Sequence, residues 1–307
     1  MRAAFSDSLV ALAKKDPKVL LLTGDHGYAL FDAFRKECPS QYINAGIAEQ
    51  NMVGMAAGLA RMGFKPFVYG LAAFIPVRVV EQIKLDIAHD NLPVVLLGDG
   101  AGFVYSHLGT SHQSTEDIAC TRAIPNLTVL SPADRFEQTL CMQWAYECTG
   151  PVYMRMGKSD RGDVHREPLQ APLGALLPLH EQAGADIALI ATGSMVKTAR
   201  ELLEKTLPGA SLYSVPAIKP INTQALADVC NQHRLLITLE EHHTDGGLGS
   251  LVCEVSSTHA PRRVLRIGVQ DRFSHGCGTY AYLLKEHGID VDSIEKQITA
   301  FVQANPK

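Results

Sequence analysis

The feature that most constrains this chain is a rhythm. Short apolar runs rich in β-branched residues alternate with stretches of helical spacing, and the rhythm runs twice. In the first pass, residues 19–22, 65–69, 93–97, 127–130 and 152–154 read as strands, and residues 47–62, 78–89 and 134–146 read as helices. Unbroken hydrophobicity, as in Val19-Leu20-Leu21-Leu22, marks strands covered on both faces. Such strands in alternation with helices predict an α/β fold with a mostly parallel sheet.

Between the passes, residues 158–179 hold Asp160, Arg161, Gly162, Asp163, three prolines and Gly174, with no sustained period. This reads as a linker. The rhythm restarts with a strand at 187–190, a turn at Thr192-Gly193-Ser194 and a helix at 196–206. A strand at 235–239 then runs into Glu240-Glu241-His242 and a glycine-rich turn, Gly246-Gly247-Leu248-Gly249, that opens another helix. The expectation is two α/β domains, each a mostly parallel sheet covered by helices, at 1–162 and 183–307 with a linker at 163–182. A chain of 307 residues, 46% of them hydrophobic, is long enough for two cores.

Composition narrows the partners. Lys plus Arg number 28 and Asp plus Glu 32, a net charge of -4, and no block of like charges occurs. Nucleic acid and anionic membrane are therefore excluded as main partners. No apolar run approaches the roughly 18 residues that span a bilayer. The N-terminal apolar stretch is broken by Ser6, Asp7 and Ser8 and ends in Lys14-Lys15-Asp16, so it reads as a helix on a globular domain rather than an export signal. The seven cysteines are odd in number and form no CxxC pair, as expected of core thiols in a reducing compartment. The cytoplasm is the expected location.

In such sheets ligands lie beyond the C-terminal strand ends. Four segments fall there: 23–28, 44–50, 98–113 and 155–158. The second, Asn44-Ala45-Gly46-Ile47-Ala48-Glu49-Gln50-Asn51, brings a carboxylate into the first turn of a helix. Alone, Glu49 would only complement the helix dipole. The helix continues with Met52, Gly54, Met55, Ala56, Ala57 and Gly58, too apolar and small for a surface helix, which puts Glu49 partly in the interior. A carboxylate there can share a proton with a ligand nitrogen.

Residues 42–66, YINAGIAEQNMVGMAAGLARMGFKP, resemble the pyrimidine-binding domain of transketolases. The resemblance implies that Glu49 contacts the aminopyrimidine of thiamine diphosphate and favours the imino tautomer that deprotonates the thiazolium carbon. Phe74, followed by Arg78 and Glu81-Gln82-Ile83, resembles the segment whose aromatic ring stacks on the pyrimidine, and Leu71 replaces a second aromatic that many relatives have there. Asp25 matches an aspartate near the cofactor. Gly109-Thr110-Ser111-His112-Gln113 is similar to the family's G-x-T-H-Q segment, which implies that His112 faces the reacting carbon. Arg155 and Lys158 match positions for a substrate phosphate, and His26 is placed with them on the substrate side. Ala191 to Ser194, Ile218-Lys219-Pro220-Ile221, residues 240–250 and Arg266-Ile267-Gly268-Val269 resemble the transketolase C-terminal domain, to which no catalytic residue is assigned.

Gly98-Asp99-Gly100 with Asn126 resembles the family's magnesium-diphosphate motif only superficially. Asn126 is followed by Leu127 rather than a second asparagine, and the stretch between holds the G-T-S-H-Q segment. It is read as coincidence, with no metal ligand in this chain. The resemblance therefore implies half a site. An N-terminal transketolase subunit with the diphosphate-binding domain would bring the Mg2+ ligands, in an α2β2 assembly. Gly98 and Leu108 stand where many transketolases carry a histidine and an aspartate that read sugar groups, which points away from the common pentose phosphates. Two-carbon ketol transfer is the leading activity. The alternatives are a deoxyxylulose-phosphate-synthase-like condensation starting from pyruvate, and a non-catalytic regulatory or scaffold chain.

Overall fold

The computed structural model describes residues 1–158 and 160–306. It contains two sheets. The strands in chain order are β1 Val19–Thr23, β2 Tyr42–Asn44, β3 Lys65–Leu71, β4 Val95–Asp99, β5 Thr128–Leu130, β6 Val152–Met156, β7 Leu177–His180, β8 Ile187–Ala191, β9 Ser211–Ser214, β10 Ala217–Lys219, β11 Leu235–His243 and β12 Arg263–Val269. The first sheet runs β10-β5-β6-β4-β3-β1-β2 and the second β12-β11-β8-β9-β7. All pairings are parallel except β10 with β5 and β7 with β9. The strands β1, β4 and β6 are buried at every position, as their unbroken apolar runs require.

Three features differ from the sequence reading. The second sheet begins at β7, within the stretch read as linker. The strand β10, from the second half of the chain, joins the first sheet. It pairs Ala217 with Leu130, so the two halves share one sheet edge. The expected helix over 78–89 is a composite: a 3-10 turn Val77–Val79, one α turn Val80–Gln82 and a wide π turn Ile83–Ala88. Helix Arg135–Glu147 starts where Asp134 Oδ1 accepts from the Phe136 and Glu137 amides, a cap worth about 1 kcal/mol. Its other oxygen accepts from the Val164 and His165 amides at 2.9 and 2.8 Å, fastening the segment that leaves the first domain. Among the described residues no helix is long and apolar enough to cross a membrane. Cys38, Cys141 and Cys230 are buried thiols, and Cys277 is exposed.

The first sheet reverses direction of winding between β1 and its two neighbours, β2 and β3. Crevices for ligands form at such switch points. Helix Glu49–Arg61 crosses from β2 to β3 and so starts at that crevice.

The joint between the halves is polar and closed. The Asp117 carboxylate, fully buried, accepts from Tyr153 Oη at 2.7 Å and from Arg155 Nε and Nη2 at 2.8 and 3.1 Å. Arg155 Nη2 also donates to the Glu241 carbonyl at 3.1 Å. His242, on β11, is fully buried beside them. Its Nδ1 lies 2.7 Å from the His243 carbonyl and so carries the proton, and its Nε2 accepts from the Ala119 amide at 3.2 Å. A neutral ring satisfies both contacts, and burial pushes its pKa down to about 4. An unfolded histidine titrates near about 6.5. Between those values the unfolded chain binds the extra proton, so the stability His242 gives is full at neutral pH and is lost as pH falls from 6.5 toward 4. His242→Gln keeps one donor and one acceptor without the titration. Chemical denaturation at several pH values should show a flatter acid limb for the variant than for the parent chain.

Candidate active site

Four of the expected residues meet at the switch point. Glu49, at the start of its helix, is 7% exposed. Its Oε2 accepts from Arg78 Nη1 at 3.0 Å. The Arg78 guanidinium lies over the Phe74 ring, 4.1 Å from its centroid. The other contact of that ring is His112, edge-on at 5.4 Å between centroids. Carboxylate, guanidinium, aromatic face and imidazole thus form one contiguous row, drawn from three separate segments. Local geometry places each. The glycine at 46 has φ +72°, a conformation that costs a side-chain-bearing residue free energy, and it turns the chain from β2 into the helix. The Phe74 amide donates to the Leu71 carbonyl at 2.8 Å, in the turn that follows β3. His112 is half-buried, and its Nδ1 lies 2.9 Å from Ser111 Oγ.

Asp25 and His26 follow β1 at the same sheet edge. Asp25 is exposed with φ 60° and accepts from Asn44 Nδ2 at 3.3 Å. His26 lies 5.4 Å from the Tyr69 ring, and both its ring nitrogens are shielded from solvent. Burial pushes its pKa down, against the opposing pull of the Gly24 backbone and of Glu49, Asp99 and Asp25. Lys158 lies where the second domain meets the first. Its Nζ donates to Asp160 Oδ2 at 2.8 Å and sits 5.6 Å from the Tyr280 ring centroid.

Arg155 is a correction. The sequence reading offered it to a substrate phosphate. The structure commits it to Asp117, with both side chains almost without solvent exposure at 4% and 0%. With its Nε and Nη2 engaged and almost no face to solvent, the guanidinium is held by the joint rather than offered at the row. Asp99 is also committed. Its Oδ2 accepts from Arg2 Nη2 at 2.7 Å, Tyr69 Oη at 2.8 Å and Tyr105 Oη at 3.0 Å. That set gives Gly98-Asp99-Gly100 a structural explanation, tying the N-terminal helix to the end of β4. Gly98 has one too: a Cβ there would lie 2.6 Å from Tyr153 Oη and 2.8 Å from the Ile75 carbonyl. A histidine at that position has no room, because the tyrosine that supports Asp117 occupies the space.

The row is open to solvent at Arg78, whose side chain is 47% exposed. Two clefts of about 680 and 620 Å3 are lined by other residues. Beside the row, helix Glu49–Arg61 turns Asn51, Met55 and Gly58 outward on one face, continued by Met62. Ile47 and Met62, at its two ends, are 79% and 78% exposed.

Comparison with known proteins settles the lineage. Residues 1–162 match the model of the transketolase pyrimidine-binding domain, and residues 178–294 that of the transketolase C-terminal domain. The chain belongs to the transketolase family. A putative transketolase C-terminal section of Methanocaldococcus jannaschii is 35% identical, with 97% of this chain and 95% of that protein aligned. An apulose-4-phosphate transketolase subunit of Phocaeicola vulgatus is 34% identical, with 98% of this chain and 97% of that protein aligned. A solved structure described as a split gene transketolase, inactive beta4 tetramer, superposes with a TM-score of 0.89 at 33% identity over 97% of both chains. The transketolase fold thus accounts for both halves of the chain.

Proposed function

We propose that this transketolase-family chain is the beta subunit of a split enzyme that moves a two-carbon ketol unit from a ketose donor to an aldose acceptor, and that it works only with an N-terminal partner chain. The observation that carries the reading is the row of Glu49, Arg78, Phe74 and His112, brought together at the switch point with its arginine end exposed. The residues fit a planar ring that donates N–H. The Arg78 guanidinium, itself planar and N–H-donating, bridges the Glu49 carboxylate and the Phe74 face in the manner an aminopyrimidine would.

Bound thiamine diphosphate would supply the nucleophilic carbon and the electron sink that two-carbon transfer requires. The residues of this chain do the rest. Glu49 accepts a hydrogen bond from the ring and exchanges a proton with its nitrogen. Phe74 would pack on the ring face, with Arg78 bordering it and Asp25 on the cofactor side. His112 moves a proton at the substrate oxygens, and His26 and Lys158 contact the substrate, with Lys158 suited to a phosphate. The three hydrogen bonds on Asp99 favour magnesium ligands from the partner chain.

The exposed Ile47, Met55 and Met62 beside Glu49 support a second chain seated there, as does the inactive beta4 tetramer of the split-gene relative. An α2β2 tetramer is the simplest closed assembly of two such half-sites. Reconstitution tests the reading. The mixed chains should consume a ketose with an aldose and release no carbon dioxide from pyruvate. Carbon dioxide release would favour the deoxyxylulose-phosphate-synthase-like reaction, and cofactor binding without turnover of any donor would favour a regulatory chain.

A further inference from the structure

The second domain reaches the histidine loop. Residues 271–279, between β12 and helix Tyr280–Glu286, lie against the G-T-S-H-Q segment. Ser274 Oγ donates to Gln113 Oε1 at 2.8 Å. At the other end of the segment, a Cβ on Gly109 would lie 3.1 Å from Cys277 Sγ. Ser274 Oγ is also 2.9 Å from His287 Nε2.

The directions of these bonds follow from counting protons. A serine hydroxyl has one. With it on Gln113, His287 must donate from Nε2 and keep its lone pair at Nδ1, which is the neutral tautomer. Burial, with Arg272 nearby, holds the His287 pKa down to about 4, so the ring stays neutral at physiological pH. Its ring stacks on Phe103 at 4.7 Å, which fixes its plane. The relay therefore runs from His287 through Ser274 to the carboxamide of Gln113, and Gln113 and His287 are each only 7% exposed.

Gln113 directly follows His112. The segment is short: the His112 amide donates to the Gly109 carbonyl at 3.0 Å, Ser114 exchanges two hydrogen bonds with Gly102 at 2.7 and 3.0 Å, and the imidazole itself meets only Ser111 Oγ and the edge of Phe74 among the described residues. The Gln113 carboxamide is thus the one side-chain grip on the loop from the second domain among the described residues.

We infer that Ser274, oriented by His287, is a positioning residue for His112: the C-terminal domain sets the pose of the imidazole by holding Gln113. The inference rests on the reading of His112 as the group at the substrate oxygens. A displacement of about 1 Å can lower turnover by about 10–100-fold without loss of binding.

Ser274→Ala in the reconstituted enzyme should lower kcat by that factor, leave the KM for thiamine diphosphate unchanged, and speed amide exchange over residues 109–115 in the isolated chain. Ser274→Thr, which keeps the hydroxyl, should restore most of the loss and guards against a folding defect. In a His112→Ala background, Ser274→Ala should add nothing. An undiminished Ser274→Ala effect in that background would overturn the positioning role, and so would unchanged exchange. Full turnover by His112→Ala alone would instead remove the reading on which the inference rests, and the positioning role with it.

Discussion

Glu49→Gln lowers turnover of the reconstituted enzyme by about 10²–10⁴-fold, the range for losing a proton-exchanging group. Glutamine keeps the size and one acceptor oxygen, so the hydrogen bond from Arg78 survives and the helix keeps its start. What it loses is the ability to take and return a proton. The fold should be indifferent, since Glu49 contributes one ion pair to a half-exposed arginine, with 47% of the Arg78 side chain open to solvent. A pair with one partner that open to solvent is worth about 1 kcal/mol. Single-turnover kinetics with unchanged circular dichroism and assembly would separate a chemical defect from a structural one. A glutamine variant with full activity would remove Glu49 from the chemistry and with it the site assignment.

The second large effect concerns stability. Arg155→Met leaves Asp117 ionised in the interior with only Tyr153 to support it. Breaking one side of a buried pair costs about 3–5 kcal/mol. The midpoint of thermal unfolding should fall by on the order of 10 °C for a chain of this size. The double variant Arg155→Met with Asp117→Leu should recover much of the loss, since an apolar pair of similar volume replaces a pair at little net cost. If Arg155 instead served a substrate phosphate, the single variant would melt normally and show a raised KM for phosphorylated sugars.

These two residues show what a sequence can and cannot reveal. That Glu49, Phe74 and His112 come together was legible because each sits in a short motif in a segment that follows a strand, His112 in the long one after β4, where the α/β rhythm already puts the ligand edge. Their motifs are local, and so are the turns that present them. The role of Arg155 was not legible, because its partner Asp117 is 38 residues away and meets it only when β6 and helix Asp117–Arg122 are packed. The same holds for Asp99, whose carboxylate is bound by Arg2, 97 residues earlier in the chain. Charge alone cannot say whether an arginine at a strand end faces a ligand or a buried aspartate.

The fold divides in the same way. Strands covered on both faces gave unambiguous apolar runs, and so β1, β4, β6, β8 and the first half of β11 were readable. The short edge strands β7 and β10 carry few residues and pair antiparallel, so they leave no pattern of their own. The strand β10 also ties the second half of the chain into the first sheet, a long-range pairing with no local signature. The grip of Ser274 on Gln113 spans 161 residues and belongs to the same class. Interdomain polar contacts of this kind explain why a domain without an assigned catalytic residue can still shape the site.

The central claim is that this chain holds one wall of a shared cofactor site. The most direct measurement is calorimetric titration of thiamine diphosphate, with magnesium present, into this chain, into its partner and into the mixture. The account predicts tight binding in the mixture alone. Tight, magnesium-dependent binding to this chain by itself would contradict it, and would mean that Asp99 surrenders Arg2, Tyr69 and Tyr105 to hold a metal ion after all.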